Sequence, residues 1–261
     1  MYVRDVFNND GKLTIIKDGS VYTLPDGWEL DDVGSYDFSL KLQDKAFAHG
    51  SYAVGDGCIK GRTIKVSFDL KERSEQEHDE VVNNALIAFS QRDYVLYAGR
   101  QDRLFKVAGV SKIKHKYQKG FKQRWSDIEI SLLLAEPFRY ATTPTTATHF
   151  CGSGTEVSIY NPSSIDVPLI FTFTPLKGQT VPDIVISHKE SDESFTLKDT
   201  LLTSPATAVV NGETGTVRRN EGNSLNTFSG LFLKALPGQN TYVYKGSECT
   251  VGITFTARWF V

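Results

Sequence analysis

The chain has 261 residues, enough for one large β domain or two ordinary ones. Forty per cent of it is hydrophobic, so a packed core is within reach. A formal charge of −2 gives no electrostatic case for nucleic acid or an anionic membrane surface. The three cysteines, Cys58, Cys151 and Cys249, are widely spaced and form no CxxC, which points to neither a disulfide framework nor a zinc ribbon.

The opening MYVRDVFNND lacks a basic segment followed by an apolar one, so no Sec-type leader is expected. A glycine-rich stretch, HGSYAVGDGCIKGRT (49–63), comes next. Within it GDGCIKGRT has a passing likeness to a phosphate loop. Gly57 and Gly61 are too close together, Arg62 stands where lysine is needed, and a strand follows instead of a helix. It reads as a loop or hairpin entering a strand. In that strand, TIKVSFDL, Ile64, Val66, Phe68 and Leu70 alternate with polar residues, the period of a half-buried strand.

Residues 74–92 break the alternation. Val81, Val82, Ala85, Leu86 and Phe89 recur at helical spacing. Ser74 followed by Glu77 has the spacing of a capping box, and acidic residues crowd the first turn. This is the one predicted helix, and it is expected to pack on a sheet.

Strand-like runs resume at 94–99 and 104–125. The second holds Lys112, Lys114, Lys116 and Lys119 among Tyr117, Phe121 and Trp125, with no acid. Basic and aromatic residues together can serve nucleic acid. An edge strand guarded by lysines is the simpler reading. A third reading sets these lysines against Glu75, Glu77 and Asp79 of the helix in a neighbouring copy.

DIEISLLLA (127–135) is a further strand. It ends in EPFRYA, and residues 142–150 follow with five threonines, one proline and no charge. That composition predicts an extended linker or a strand edge. We set domains at 1–141 and 151–261, with a Thr/Pro linker over 142–150. From 151 onward only strand patterns appear, with Asn211-Gly212 and Pro237-Gly238 as turn signals. Seven or so short strands predict a β-sandwich. The last, TVGITFTARWFV, alternates to the final residue and turns Trp259 inward.

Site chemistry is sparse. No two of His49, His78, His115, His149 and His188 sit at metal-ligand spacing, and no G-x-S-x-G occurs. No enzyme activity, metal or other cofactor is expected. A carbohydrate-binding sandwich is the alternative function. The H-x-N-x-R spacing of galectin sugar sites is absent from residues 150–261.

RDYVLYAGRQDRLFKVAGVSKIKHKY and FKQRWSDIEISLLLAEPFRYA resemble the first domain of siphophage distal tail (Dit) proteins. GCIKGRTIKVSFDL, leading to a helix after the strand, fits the same pattern. IYNPSSIDVPLIFTFTP and NTFSGLFLKALPGQNTYVY resemble that family's galectin-like second domain. The resemblance implies a mainly β chain: a strand-rich domain with one helix, then a galectin-like β-sandwich. It implies a hexameric ring at the distal end of the tail tube. Tail-associated tip proteins and receptor-binding proteins would dock on that hub, and the protein would reside in the virion tail tip. A third reading is a related tail-like injection device built from the same parts. GSYAVGDGCIKG (50–61) is a candidate arm for ring contacts by strand addition.

Overall fold

The computed structural model describes residues 12–24, 28–100 and 102–260. The opening MYVRDVFNND and Val261 lie outside the described residues, so the leader reading and the end of the terminal alternation do too. The chain divides into two compact units, residues 1–142 with 260–261, and residues 143–259.

The first unit begins with β1 (Thr14–Lys17), β2 (Ser20–Thr23) and β3 (Trp28–Asp32). A hairpin of β4 (Lys41–Asp44) and β5 (Ser51–Val54) follows, then the long β6 (Arg62–Lys71) and helix α1 (Glu75–Phe89). After the helix come β7 (Tyr94–Tyr97), β8 (Arg103–Val107), β9 (Gly109–Tyr117), β10 (Trp125–Leu134) and β11 (Arg139–Ala141). They form two antiparallel sheets, ordered β2-β1-β7-β8-β11 and β3-β6-β10-β9. Among the described residues β4 and β5 pair only with each other.

Alternation decides which face is buried. Ile64, Val66, Phe68 and Leu70 of β6 and Ile128, Ile130 and Leu132 of β10 enter one core, while Lys65, Ser67, Asp127 and Glu129 face away. Val82, Ala85, Ala88 and Phe89 bring α1 onto that core, and Phe89 stacks on Trp28 of β3 at 5.5 Å. Ala88 and the fully buried His78 belong to this contact although the apolar stripe did not name them.

Ser74 is the N-cap of α1: its backbone is extended, and its hydroxyl accepts from the Glu77 N–H at 3.1 Å. Ser74→Ala leaves that donor without its side-chain acceptor. We expect a loss of about 1 kcal/mol in urea unfolding, with Ser74→Asp retaining most of the stability.

The second unit opens with β12 (Thr145–Cys151), β13 (Glu156–Asn161), β14 (Val167–Pro168) and β15 (Ile170–Pro175). It continues with β16 (Asp183–His188), β17 (Ser194–Lys198), β18 (Ala208–Asn211), β19 (Thr216–Arg219) and β20 (Gly222–Asn223). It closes with β21 (Phe228–Gly230), β22 (Lys234–Ala235), β23 (Gly238–Gly246), β24 (Cys249–Phe255) and β25 (Arg258–Trp259). A six-stranded sheet, β12-β24-β15-β18-β19-β20, packs on a five-stranded one, β13-β23-β16-β17-β21. Phe171 of β15 meets Phe195 of β17 at 5.4 Å and Tyr242 of β23 at 5.7 Å, which places aromatic rings between the two sheets. The architecture is a β-sandwich.

Two expectations change. The linker expected over 142–150 is largely β12, which pairs with β24 from Thr145 to Cys151. Threonine suits strands as well as linkers, and here it sits at the sheet's edge with most of its neighbours exposed. Trp259 is half-buried, with its indole N–H donating to the Pro162 carbonyl at 2.9 Å. Burial alternates on through Ala257, past the end of β24 at Phe255, and breaks in the short strand that starts at Arg258.

Cys151 and Cys249 face each other across β12 and β24, buried and outside any disulfide, while Cys58 is exposed. Burial pushes the Cys151 thiol up to about 11, with Cys249 adding to it, and burial also raises Cys249. We expect an aromatic disulfide reagent to titrate one thiol in the native protein and three in denaturant. Rapid native reaction of a second thiol would contradict this burial.

Candidate assembly surfaces

Three surfaces carry the sequence candidates. The first is β9. It lies at the end of its sheet, bonded among the described residues only to β10, and Ser111 to Tyr117 are all exposed. Lys112, Lys114 and Lys116 share its outer face by strand alternation. They stand opposite Ser131, Glu129 and Asp127 of β10. Lys114 bonds Glu129 at 2.7 Å, and this hydrogen bond holds the Glu129 carboxyl below the usual range. Lys119 sits exposed in the turn after β9. The lysines guard an edge strand and are partly answered within their own chain.

The second is the acidic first turn of α1. Glu75, Glu77 and Asp79 are exposed, and no ion pair joins them to the β9 lysines among the described residues. Beside them lies a small ring cluster: His78 of α1 stacks on His115 at 5.9 Å, and His115 contacts Tyr117 at 4.6 Å. His78 Nε2 meets Ser126 Oγ at 2.8 Å. Burial first, then His78, keeps His115 below the ordinary histidine value, against the pull of Asp79.

The third is the β4–β5 hairpin. Leu42 is 78% exposed, Tyr52 61% and Val54 49%, and Phe47 at its tip is fully exposed. Phe38 and Leu40, leading into β4, are also exposed. Large apolar side chains exposed on both faces of a ribbon are surface of the kind that marks an interaction site. The base of the hairpin is tied down: Ser39 N–H donates to Cys58 O at 2.8 Å and Lys60 N–H to Asp37 O at 2.9 Å. Gly55 is needed there. Its φ is +133°, and a Cβ on it would fall 1.7 Å from the Ser39 carbonyl oxygen. The glycine-rich stretch is therefore a hairpin entering β6, and no phosphate-binding helix terminus follows it.

Among the described residues no cluster of three or more His, Cys, Asp or Glu is placed to hold a metal ion, and no helix is long and apolar enough to cross a membrane.

Two antiparallel sheets with one helix, followed by a sandwich of six- and five-stranded sheets, make up a fold this chain shares with a solved Dit protein. Among solved structures, the chain matches the Dit protein (gp 19.1) of phage SPP1 with a TM-score of 0.70 at 11% identity, over 94% of this chain and 98% of that one. Two structures of the phage P2 baseplate in its activated conformation, with Ca and with Sr, align at TM-scores of 0.46 and 0.45 and 10% identity, each over 94% of this chain and 97% of the other. No family model matches the sequence. No curated protein matches it at a significant level.

Proposed function

We propose that this chain is a non-enzymatic phage tail protein that forms a hexameric ring at the distal end of the tail tube. The observation that carries this reading is the end-to-end correspondence with SPP1 Dit, a protein described as a paradigm of the hub adsorption apparatus in phages infecting Gram-positive hosts. Both units correspond, with neither missing nor enlarged, so the roles of ring and platform come together.

In this reading the first unit makes the ring and the second is the docking platform for tip and receptor-binding proteins. A ring of identical copies needs two different patches on each chain. The β4–β5 hairpin supplies one, an apolar ribbon that its own core leaves uncovered. The protein acts in the virion tail tip, in contact with the tube protein and the tip proteins.

Light scattering over a concentration series tests the reading. A species near six times 29.1 kDa, with a central channel in negative-stain images, supports it. A single-chain mass at every concentration, persisting when the tail tube protein is added, overturns it.

A further inference from the structure

Among its described residues the first unit gathers four arginines, Arg62, Arg100, Arg103 and Arg139. Arg62 is 6% exposed and Arg139, the arginine of the EPFRYA turn, is 7% exposed. Arg100 and Arg103 both reach Asp102. Arg100 Nε meets Asp102 Oδ1 at 3.0 Å and its Nη2 meets Oδ2 at 3.1 Å, with Arg103 Nε 3.4 Å from Oδ2. Arg62 is occupied by backbone, donating to the carbonyls of Val33 and Phe260, and its guanidinium lies over Tyr36.

Arg139 is different. Its guanidinium rests 4.6 Å above the Phe105 ring and has neither a hydrogen-bond acceptor nor an ion-pair partner among the described residues. Burial, and then the fields of Arg100, Arg103 and Arg62, all press it toward losing its proton. A buried cation in that position calls for an anion.

A cavity of about 460 Å³ opens against it. Arg139 and Arg100 form its cationic side, and Leu13, Trp28 and Leu30 its apolar side. The Trp28 indole N–H is buried and also lacks an acceptor among the described residues. The one carboxylate in the lining, Glu29, is exposed and bonds neither arginine.

We propose that this cavity is a carboxylate-binding site, with the Arg139 guanidinium receiving the oxyanion, Arg100 closing over it, and Leu13, Trp28 and Leu30 holding an apolar body behind it. The planar fork of arginine matches a carboxylate through two parallel hydrogen bonds. The apolar wall favours an organic acid over inorganic phosphate. Two sources present the same chemistry, a free small organic acid or an acidic side chain from a second copy. The site goes beyond the hub reading and stands whether or not a ring forms.

The test uses the full chain at fixed ionic strength. Calorimetric titration and thermal unfolding are run with propionate and phenylacetate, with the corresponding amides and with phosphate. Saturable binding of the carboxylates, stronger for phenylacetate and absent for the amides, is expected. Arg139→Gln should abolish it. Arg100→Gln, at an exposed position that tolerates change, should weaken it at least tenfold, and Glu29→Gln should tighten it by removing a like charge. The Arg100 and Glu29 variants carry the test if the Arg139 variant does not fold. No saturable carboxylate binding, equal binding of the amides, or unchanged binding in Arg100→Gln would overturn the proposal. Light scattering then separates the sources. Dissociation of an oligomer by phenylacetate, matched by Arg100→Gln, assigns the carboxylate to a neighbouring copy. An oligomeric state indifferent to both assigns it to a free acid.

Discussion

Leu42→Asp combined with Tyr52→Asp is expected to reduce the proposed ring to single chains of 29.1 kDa while leaving each chain folded. The two residues lie on opposite faces of the β4–β5 ribbon, since Leu42 pairs with Ala53 and Gln43 with Tyr52. Neither belongs to the core of the first unit. Their removal therefore costs the fold little, as exposed substitutions usually do. In an interface the arithmetic differs. Burying each apolar side chain contributes about 2 kcal/mol, so losing two weakens each contact by roughly a thousandfold, before the cost of burying two carboxylates. A two-stranded ribbon with no third strand is also marginal by itself in water, which suits an element that gains order from a neighbour. Light scattering and far-UV circular dichroism decide together. Native-like dichroism with a full-size ring would remove the hairpin from the interface. Lysine reversal on β9 provides the comparison: because Lys114 is already held by Glu129, changing Lys112, Lys114 and Lys116 to Glu should disturb assembly less than the hairpin pair does.

The elements that were legible in the sequence are those whose burial repeats with one period over enough residues. β6, β10 and α1 are the clearest cases. Ten-residue strands with a clean alternation and a fifteen-residue helix with Ser74 at its cap leave little room for another reading. β12 was less legible because nearly all of it is exposed, so its letters carry little alternation and the pairing with β24 defines it. Trp259 was misplaced because a period carries no mark of where a strand stops. Of the hairpin only β5 was legible, inside the glycine-rich run over 49–63; β4 and the exposed Phe47 tip were not, because exposure is a property of what does not pack and no local pattern reports it. In the sequence Arg139 reads only as part of the EPFRYA turn. That it would be buried beside three other arginines depends on β8 and β11 pairing, which brings residues 105 and 139 together from distant parts of the chain. At 11% identity, the fold shared with SPP1 Dit rests on such patterns of burial far more than on matching residues.

The same logic predicts a large effect inside the sandwich. Phe173→Ala should destabilise the second unit by about 3–5 kcal/mol, a large share of the roughly 5–15 kcal/mol that holds a domain folded. Phe173 is 0% exposed on β15, between Val251 of β24 and Ala208 of β18, with its ring facing Phe195 of the opposite sheet at 6.3 Å. A cavity there lies between two sheets whose strands are hydrogen-bonded on both sides, so the walls have little freedom to collapse. Thr172, one residue earlier, points to the other face of the same strand and is half-buried. Thr172→Ala should change stability by less than about 0.5 kcal/mol, as expected of a residue outside the core. Urea unfolding, read by amide exchange in β15, β18 and β24 and separately in β6 and β10, measures both effects. The loss of protection should concentrate in the second unit, because Phe173 belongs to its hydrophobic cluster and shares none of the residues that make up the other. Equal losses for Phe173→Ala and Thr172→Ala would mean that β15 does not present one face to the core. The sandwich register, and with it the platform assigned to this unit, would then have to be redrawn.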